Sequence, residues 1–359
     1  MNRFRPAFWL FLATALAVTG SSVRAANFDF GADLSFLKQA EDGGMVFKDG
    51  TNAQPGMQIF RHHGYNWIRL RIFVDPVTNH LPNDLAYTLA LAKDVKKSGA
   101  KLLLDFHYAN SWADPGKQPM PVTWETLTHT QRVQAVFEYT RDTVAAFRSV
   151  GVLPDMVQVG NEITHGMLWP AGKLPEHWEQ FADYVRAGVK GVGAGAGDGP
   201  SPRIMIHCDQ GANTPRTKYF FDHLNQYGIA YDVIGFSYYP WWHGSLADLR
   251  ENLAFAAKTY HKDVMVVETA YYWKPSRYFE KTPPPFAESP AGQREFLDEL
   301  TRVVINVPDS RGTGVFWWEP AVASRGLAAR GFFDESGNAL PVLTVFDKYT
   351  RPEHPTSDN

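Results

Sequence analysis

Two glutamates that each end an apolar run are the residues of this sequence best suited to chemistry. Glu162 follows Asn161 at the end of a run that begins at Val157, and Glu268 follows Val264-Met265-Val266-Val267. A lone glutamate in such a place is usually satisfied by a nearby arginine. Two of them at equivalent positions instead favour a carboxylate pair, one acting as nucleophile and one as acid and then base. Such a pair could cleave a glycosidic bond with retention if the carboxyl groups lie about 5–5.5 Å apart.

The two glutamates need different surroundings, because equivalent carboxylates cannot divide the acid and nucleophile roles. We expect Arg69 to keep Glu268 ionised as the nucleophile. Apolar, aromatic surroundings are expected to raise the pKa of Glu162 and keep it protonated as the acid. Tyr238 is expected to donate a hydrogen bond to the nucleophile, and Asn161 to contact the sugar hydroxyl beside the anomeric carbon.

The elements that must position these residues alternate between short apolar runs and longer helical stretches. Strands are predicted at residues 28–34, 67–73, 101–107, 155–162, 203–209, 232–239, 263–270 and 314–319. Helices are predicted, for example, at residues 85–98, 131–150, 178–189, 245–260 and 292–307, and residues 191–202 are interpreted as a surface loop. This alternation predicts a parallel sheet with helical crossovers, and eight units favour a closed (β/α)8 TIM barrel of the α/β class. A doubly wound sheet is disfavoured because no glycine-rich phosphate loop follows the first strand.

Polar or aromatic side chains end every one of the eight predicted strands. In a barrel these ends meet at one face, and burying so many polar groups without a purpose would be costly. The groups are Asp33, Arg69 with Arg71, Asp105 with His107, Asn161 with Glu162, His207 with Asp209, Tyr238, Glu268, and Trp318 with Glu319. Glu319 is a rival candidate for the nucleophile, although the Pro-Ala that follows it suggests a structural turn.

The N-terminus is typical of an export signal, with Arg3 and Arg5 before an apolar run and a cleavage site after Ala25. We therefore expect a signal peptide at residues 1–25, a single catalytic domain at 26–359, and a secreted or periplasmic monomer that is free of the membrane after cleavage. The formal net charge is −3 and no basic run is present, so nucleic acid is not expected as a partner. Cys208 is the only cysteine, so the chain forms no internal disulfide.

Aromatic residues make up 14% of the chain, including 11 Trp and 15 Tyr. Several lie in polar segments punctuated by glycine and proline, such as the segment that ends at Trp242, where a buried core is a poor explanation. Flat rings in a cleft suit the apolar faces of sugar rings, so Trp242 is a candidate substrate contact.

Longer strings of this sequence resemble one family of retaining barrel glycosidases, the endo-β-1,4-galactanases of glycoside hydrolase family 53. The resemblance spans about residues 27–345, and its most specific string is Trp112-Ala113-Asp114-Pro115-Gly116-Lys117-Gln118. The other strings are Gly31-Ala32-Asp33-Leu34-Ser35, Arg69-Leu70-Arg71, Asp105-Phe106-His107-Tyr108, Gly160-Asn161-Glu162-Ile163 and Trp318-Glu319-Pro320-Ala321.

The resemblance implies a (β/α)8 barrel that cleaves internal β-1,4-galactosidic bonds of pectic galactan, with Glu162 as acid/base and Glu268 as nucleophile. It also implies that Asp105, His107, Asn161 and Tyr238 lie near the cleaved bond. Trp318 would lie under the sugar at that bond, and Trp112 would line the cleft. Asp33, Arg69, His207 and Asp209 complete the expected substrate-binding set.

This chain departs from the family pattern in two places beside the predicted cleft. It has Tyr239-Pro240-Trp241-Trp242 where Pro-Phe-Trp is expected, and Tyr271-Tyr272-Trp273 where a proline is usual. Residues 274–290 are rich in proline and poor in carboxylates, unlike the calcium-binding loop of some bacterial members. We therefore predict no calcium there, and neither a metal nor a cofactor is expected.

Three alternatives remain open at this point. A metal-dependent hydrolase could use His107, His207, Asp105 and Asp209, although no metal-ligand spacing supports it. A non-catalytic sugar-binding protein would keep the tryptophans but need neither glutamate. A hydrolase of mannan, xylan or β-glucan on the same barrel differs only in which sugar hydroxyls it pairs.

Overall fold

The computed structural model describes residues 27–323 and 325–350 as one closed barrel of parallel strands. The signal peptide predicted for residues 1–25 lies outside the described residues. The predicted (β/α)8 fold is confirmed. We number the barrel strands β1 to β8: Asp29–Asp33, Trp67–Ile72, Lys101–Phe106, Met156–Val159, Arg203–Cys208, Val233–Tyr238, Asp263–Thr269 and Gly312–Trp318.

The barrel closes because β1 pairs with both the second and the last strand. Asp33 is paired in register with Arg69 of β2 and with Trp318 of β8. Every other strand pairs with its neighbours in chain order, and all the pairs are parallel. The C-terminal ends of all eight strands therefore face the same side of the barrel.

Seven longer helices surround the barrel, and we label them α1 to α7. They are Gly56–His62, Leu85–Lys97, His129–Ser149, Trp178–Ala196, Thr214–Gln226, Leu246–Tyr260 and Pro290–Ile305. Their starts follow local chemistry: Thr128 forms a capping box with Gln131 before α3, and Ser245 forms one with Asp248 before α6. Shorter helical segments lie at Leu37–Asp42, Arg325–Ala328, Pro341–Phe346 and Asp347–Thr350.

Helix α4 corrects one prediction, because it continues to Ala196 instead of ending near Val189. Two of the glycines that suggested a loop, Gly191 and Gly195, pack closely on α3. A Cβ at Gly191 would lie only 2.7 Å from the carbonyl oxygen of Phe137. At Gly188, a Cβ would lie 2.6 Å from Val159 Cγ1. Close approach of the helix backbones outweighs the low helix propensity of glycine here.

The lower half of the barrel interior is apolar and the upper half is polar. The apolar cluster inside consists of Trp67, Leu103, Met156, Met205, Val233, Met265, Val267 and Phe316. Above it, towards the C-terminal strand ends, lie Arg69, Asp105, Gln158, His207 and Ser237, all essentially inaccessible to solvent. The same strands therefore provide a packed base and a polar upper layer.

A bulge in β7 brings Glu268 to the interior. Met265 and Val267 already face inward, so regular alternation would send Glu268 outward. The pairing with β6 shifts by one residue, from Phe236 opposite Val266 to Ser237 opposite Glu268. A bulge adds one residue to one strand and redirects the side chains that follow it.

Candidate active site

A cavity of about 520 Å³ opens at the C-terminal ends of the strands. Eight of the predicted site residues line it: His107, Trp112, Asn161, Glu162, Asp209, Trp242, Glu268 and Trp318. The two glutamates of opposite barrel sides therefore share one cavity, as the sequence predicted. The cavity is also lined by residues that the sequence did not indicate: Tyr239, Arg330, Gln210 and His243.

Glu162 follows β4 with a left-handed backbone, at φ 48°. The Glu162 residue is only 7% exposed, and its Oε1 accepts a 2.6 Å hydrogen bond from the Ser237 hydroxyl. Burial raises the pKa of Glu162 well above its usual value, and the nearby charges of Glu268 and Asp209 raise it further. The hydrogen bond from Ser237 acts in the opposite direction. The net direction keeps a proton on Glu162 at a pH where an exposed glutamate would lose it.

Glu268 sits among hydrogen-bond donors. Arg69 Nη1 lies 3.0 Å from its Oε2, which is the contact expected from the sequence. The hydroxyl of Tyr239 donates a 2.8 Å hydrogen bond to its Oε1. Glu268 thus has two donors in Arg69 and Tyr239, whereas Glu162 accepts from Ser237, so the surroundings of the two glutamates differ as the division of roles requires.

The predicted contact of Tyr238 with Glu268 is wrong. The Tyr238 ring faces outward against Phe296 of α7, and its hydroxyl donates to the Gly244 carbonyl oxygen at 3.0 Å. Side chains alternate along β6, so Ser237 and Tyr239 face the interior while Tyr238 between them cannot. Tyr239 takes the position expected of Tyr238.

Arg69 links four side chains beneath the cavity. Its terminal nitrogens lie 2.9 Å from an oxygen of each of Asp33, Asp105 and Asn161, besides the contact with Glu268. Burial lowers the pKa of Arg69, but the carboxylates outweigh burial and raise it above its usual value. Burial raises the pKa of Asp105, but Arg69, His107 and His207 together outweigh burial and lower the pKa of that carboxyl to about 2. The network of ion pairs and hydrogen bonds around Arg69 therefore holds Glu268 and Asn161 in place.

Four further predictions of direct substrate contact are corrected by this burial. Asp33, Arg69, Asp105 and His207 are at most 1% exposed and do not line the cavity. Their side chains start one layer below the strand ends, so they reach the residues of the cavity wall instead of its space. They act on that wall: His207, for example, lies 3.0 Å from Asn161 Oδ1 through its Nδ1.

An aromatic corner forms the wall around β3 and β8. Trp112 and Trp318 meet edge to face with ring centroids 6.0 Å apart, and the Arg71 guanidinium lies 4.6 Å from the Trp112 ring. His107 supports this corner because its Nδ1 accepts a 3.1 Å hydrogen bond from the Ala113 backbone. Rings fixed in this way offer a rigid apolar surface within the cavity.

Glu319 is not a reacting group of this cavity. Its carboxylate is 1% exposed, forms an ion pair with Arg71 and does not line the cavity. The rival assignment of Glu319 as nucleophile is therefore wrong, and its role is structural.

Neither a metal-binding cluster nor a membrane-spanning helix is found among the residues that the structure describes. No group of three or more His, Cys, Asp or Glu residues in it could hold a metal ion. Within the same residues, no helix combines the length and apolar character needed to cross a bilayer.

Comparison with known proteins gives consistent matches over nearly the whole chain. The model of Glycosyl hydrolase family 53 matches residues 29–346. An arabinogalactan endo-beta-1,4-galactanase of Thermothelomyces thermophilus is 33% identical over 333 residues, which cover 89% of this chain and 98% of that protein. An enzyme of the same name from Cellvibrio japonicus is 34% identical over 362 residues, covering 93% and 94% of the two chains.

Solved structures agree with these matches. The GH53 catalytic domain of Ignisphaera aggregans superposes with a TM-score of 0.83 at 30% identity, covering 90% of this chain and 96% of that one. A fungal β-1,4-galactanase gives a TM-score of 0.80 at 31% identity, covering 89% and 98%. A xylanase of Thermotoga maritima gives a TM-score of 0.63 at 12% identity, with 92% and 96% covered, which shows a shared fold alone.

Proposed function

The chain belongs to glycosyl hydrolase family 53, and on this premise we propose that it is a retaining endo-β-1,4-galactanase. The observation that carries the proposal is the pair Glu162 and Glu268, which line one cavity in opposite electrostatic environments. Its substrate is β-1,4-linked galactan, as the names of its relatives indicate, and we propose the galactan side chains of pectin as its source.

In the first step Glu268 attacks the anomeric carbon of the sugar at the cleavage site. A glycosyl–carboxylate ester bond forms while the glycosidic C–O bond breaks, and Glu162 gives its proton to the departing oxygen. Arg69 and Tyr239 keep Glu268 ionised and oriented before the attack. The pKa of Glu162, raised by burial, keeps it protonated for this transfer.

In the second step Glu162, now a carboxylate, takes a proton from a water molecule. The water oxygen attacks the anomeric carbon, the ester bond breaks, and Glu268 returns as a free carboxylate. Two inversions at the same carbon give net retention. Glu162 regains its proton from the water, so both residues end as they began.

Substrate contacts come from the residues that line the cavity. Trp318 and Trp112 support the apolar faces of the sugars on one side, and Trp242, 57% exposed, does so on the other. Asn161 uses one amide hydrogen on the Ala113 carbonyl at 2.8 Å and keeps the second for a sugar hydroxyl. Asp209 lines the same cavity and accepts from further hydroxyls.

The remaining parts of the proposal concern the form in which the enzyme acts. Residues 1–25 are a signal peptide, residues 26–359 are the catalytic domain, and the mature enzyme is a secreted or periplasmic monomer. It works without a metal or cofactor, because Glu162 and Glu268 supply both proton transfer and the nucleophile.

A reducing-sugar assay of the purified protein in EDTA, with galactan, mannan, xylan and carboxymethylcellulose side by side, tests the function. We expect oligosaccharides from galactan alone. Release from another polymer would retain the glycosidase mechanism and refute the galactan substrate. The absence of release from all four would favour a sugar-binding protein instead.

A further inference from the structure

A buried hydroxyl and a buried histidine form a chain that ends at Glu162. Ser237 of β6 and His207 of β5 are both wholly inaccessible to solvent, and neither lines the cavity. His207 Nε2 lies 2.9 Å from Ser237 Oγ, and Ser237 Oγ lies 2.6 Å from Glu162 Oε1. The chain therefore reaches Glu162 from the barrel interior, on the side away from the substrate.

The direction of this chain depends on which nitrogen of His207 carries hydrogen. Burial, assisted by the charge of Arg69, lowers the pKa of His207 well below its usual value, so the ring is neutral and has one N–H. If Nε2 carries it, His207 donates to Ser237, whose only hydrogen then goes to Glu162 Oε1. If Nδ1 carries it, Nε2 accepts from Ser237, and Glu162 must spend its own proton on Ser237.

The groups around Nδ1 distinguish the two tautomers. The backbone N–H of Glu162, which can only donate, points at Nδ1 from 3.4 Å, and the Gln158 amide nitrogen lies 3.1 Å away. Asn161 Oδ1 is an acceptor 3.0 Å from Nδ1, but it already has donors in Arg69 Nη2 at 2.9 Å and Gln158 Nε2 at 3.2 Å. A hydrogen on Nδ1 would leave the Glu162 N–H facing another donor, which is costly at a buried position.

We propose that Ser237 and His207, held as the Nε2–H tautomer, are positioning residues that keep Glu162 Oε1 an acceptor and so confine the transferable proton to Oε2. The arrangement serves both steps of the reaction. When Glu162 is protonated, its proton cannot be diverted to Ser237. When Glu162 is ionised, the same hydroxyl stabilises its charge without any rearrangement. This inference rests on the proposed acid/base role of Glu162.

The wild-type protein tests the tautomer directly. In protein labelled with ¹⁵N-histidine, long-range ¹H–¹⁵N spectra distinguish a protonated from an unprotonated ring nitrogen. The His207 signals are identified by their loss in His207→Gln or their displacement in Ser237→Ala. We expect a protonated Nε2 and an unprotonated Nδ1. A protonated Nδ1 would overturn the inference, whatever the variants do.

Ser237→Ala tests the effect on catalysis. Removing a hydrogen bond to the ionised form raises the pKa of Glu162 further, so the alkaline limb of kcat/KM should move up by about one pH unit. We expect kcat on galactan to fall about tenfold, with KM within about twofold of wild type because Ser237 does not reach the substrate. An unshifted limb would overturn the inference.

Thr301→Val is the matched control for a lost buried hydroxyl. Thr301 is wholly buried in α7, and its hydroxyl donates to the Leu297 carbonyl oxygen at 2.7 Å. It should leave both the pH profile and kcat unchanged. An equal shift in both variants would mean that Ser237 acts through general packing and would also overturn the inference.

Glu162→Ala separates failure of this inference from failure of the proposed function. If Glu162 is the acid, that variant loses far more activity on substrates with poor leaving groups than on activated aryl galactosides. If it loses activity equally on both, the acid/base assignment fails, and this inference with it. If Glu162→Ala behaves as expected while Ser237→Ala has a wild-type pH profile, the inference alone fails.

Discussion

The two ends of the barrel each hold a buried carboxylic acid whose pKa is raised, yet they differ in what surrounds it. At the C-terminal end, burial raises the pKa of Glu162 and the charges of Glu268 and Asp209 raise it further. At the N-terminal end, burial raises the pKa of Asp29 to about 7, while Lys101 and Arg203 lower it. The strongest charges near the acid have its own sign at the C-terminal end and the opposite sign at the N-terminal end.

A raised pKa therefore does not by itself identify a reacting group. Desolvation acts on any carboxyl that a barrel buries, so it acts at both ends. The upper cavity combines Glu162 with a second carboxylate, Glu268, which has its own donors in Arg69 and Tyr239 and shares the cavity with the Trp112 and Trp318 rings. The lower end also has a cavity, of about 730 Å³. Asp155 and Asp263 line it together with Asp29, but they are held in ion pairs with Lys96 and Arg203. The fold therefore depends on both ends of the barrel, whereas the proposed chemistry depends on the pair Glu162 and Glu268.

The largest effect on activity is expected at Glu268. Glu268→Ala should lower turnover of galactan by about four orders of magnitude, because no other group can form the ester intermediate. Added azide should restore turnover of an activated aryl galactoside and give the glycosyl azide of inverted configuration, as measured by NMR of the product. Glu162→Ala under the same conditions should give the retained configuration. Exchanged configurations would reverse the two roles.

At Glu162 we expect a smaller loss of activity than at Glu268, together with an unchanged or increased free energy of unfolding. Glu162→Gln keeps a side chain that can accept from Ser237 and removes the cost of holding an ionisable carboxyl in a buried place beside Glu268 and Asp209. Turnover should fall about 10³-fold, whereas the free energy of unfolding at pH 7 should stay equal or rise by about 1 kcal/mol. Activity assays and denaturant unfolding measure the two quantities.

Glu319→Gln is the matched control for that substitution. Its carboxylate is also buried at a strand end, after β8 on the opposite side of the barrel from β4, but it is paired with Arg71. Removing its charge should lower the free energy of unfolding by about 3 kcal/mol, because a buried guanidinium loses a partner. Equal losses of stability in both variants would contradict the claim that Glu162 is held against electrostatic cost.

The smallest effect is expected at the other end of the barrel. Since the pKa of Asp29 is raised to about 7 from an ordinary value of 3.8, its contribution to stability is absent below about pH 4. It becomes unfavourable as pH rises from 4 to 7 and is constant above that, because the folded state resists its ionisation. Asp29→Asn should therefore match wild type near pH 4 and be more stable by about 2 kcal/mol at pH 8.

Unfolding at the two pH values, together with galactanase assays, measures this prediction. The activity of Asp29→Asn should equal that of wild type, because Asp29 lies at the end of the barrel opposite the cavity. A stability gain that is the same at both pH values would show that Asp29 does not titrate as described. Lost activity would break the distinction between the two ends.

Sequence patterns predicted the barrel and both glutamates because each strand is an apolar run that ends in a polar group. The sequence pattern placed Glu268 at a strand end, but it does not explain why the side chain faces the barrel interior. Strict alternation after Met265 and Val267 would turn Glu268 outward, and only the bulge opposite Ser237 brings it inside. A bulge depends on pairing between strands, so a single strand does not reveal it.

The error between Tyr238 and Tyr239 could have been avoided. Val233 and Gly235 face the barrel interior, and continuing that alternation assigns Ser237 and Tyr239 to the interior and Tyr238 to the helix layer. The same count would have found Ser237. By contrast, the depth that separates His207 and Arg69 from the cavity follows from the tilt and stagger of the strands, which no local pattern encodes.

The glycine at position 188 has a consequence for anyone who wishes to redesign this cleft. Its missing side chain lets α4 rest against Val159, three residues before Glu162, and against the Tyr108 hydroxyl, 2.8 Å from where a Cβ would stand. The space between α4 and the end of β4 is too small to accommodate an added methyl group. The aromatic loop after β6, where Trp242 is 57% exposed, offers the opposite tolerance. Specificity can be re-engineered from that loop, while the β4 side serves as the fixed reference against which new loops are fitted.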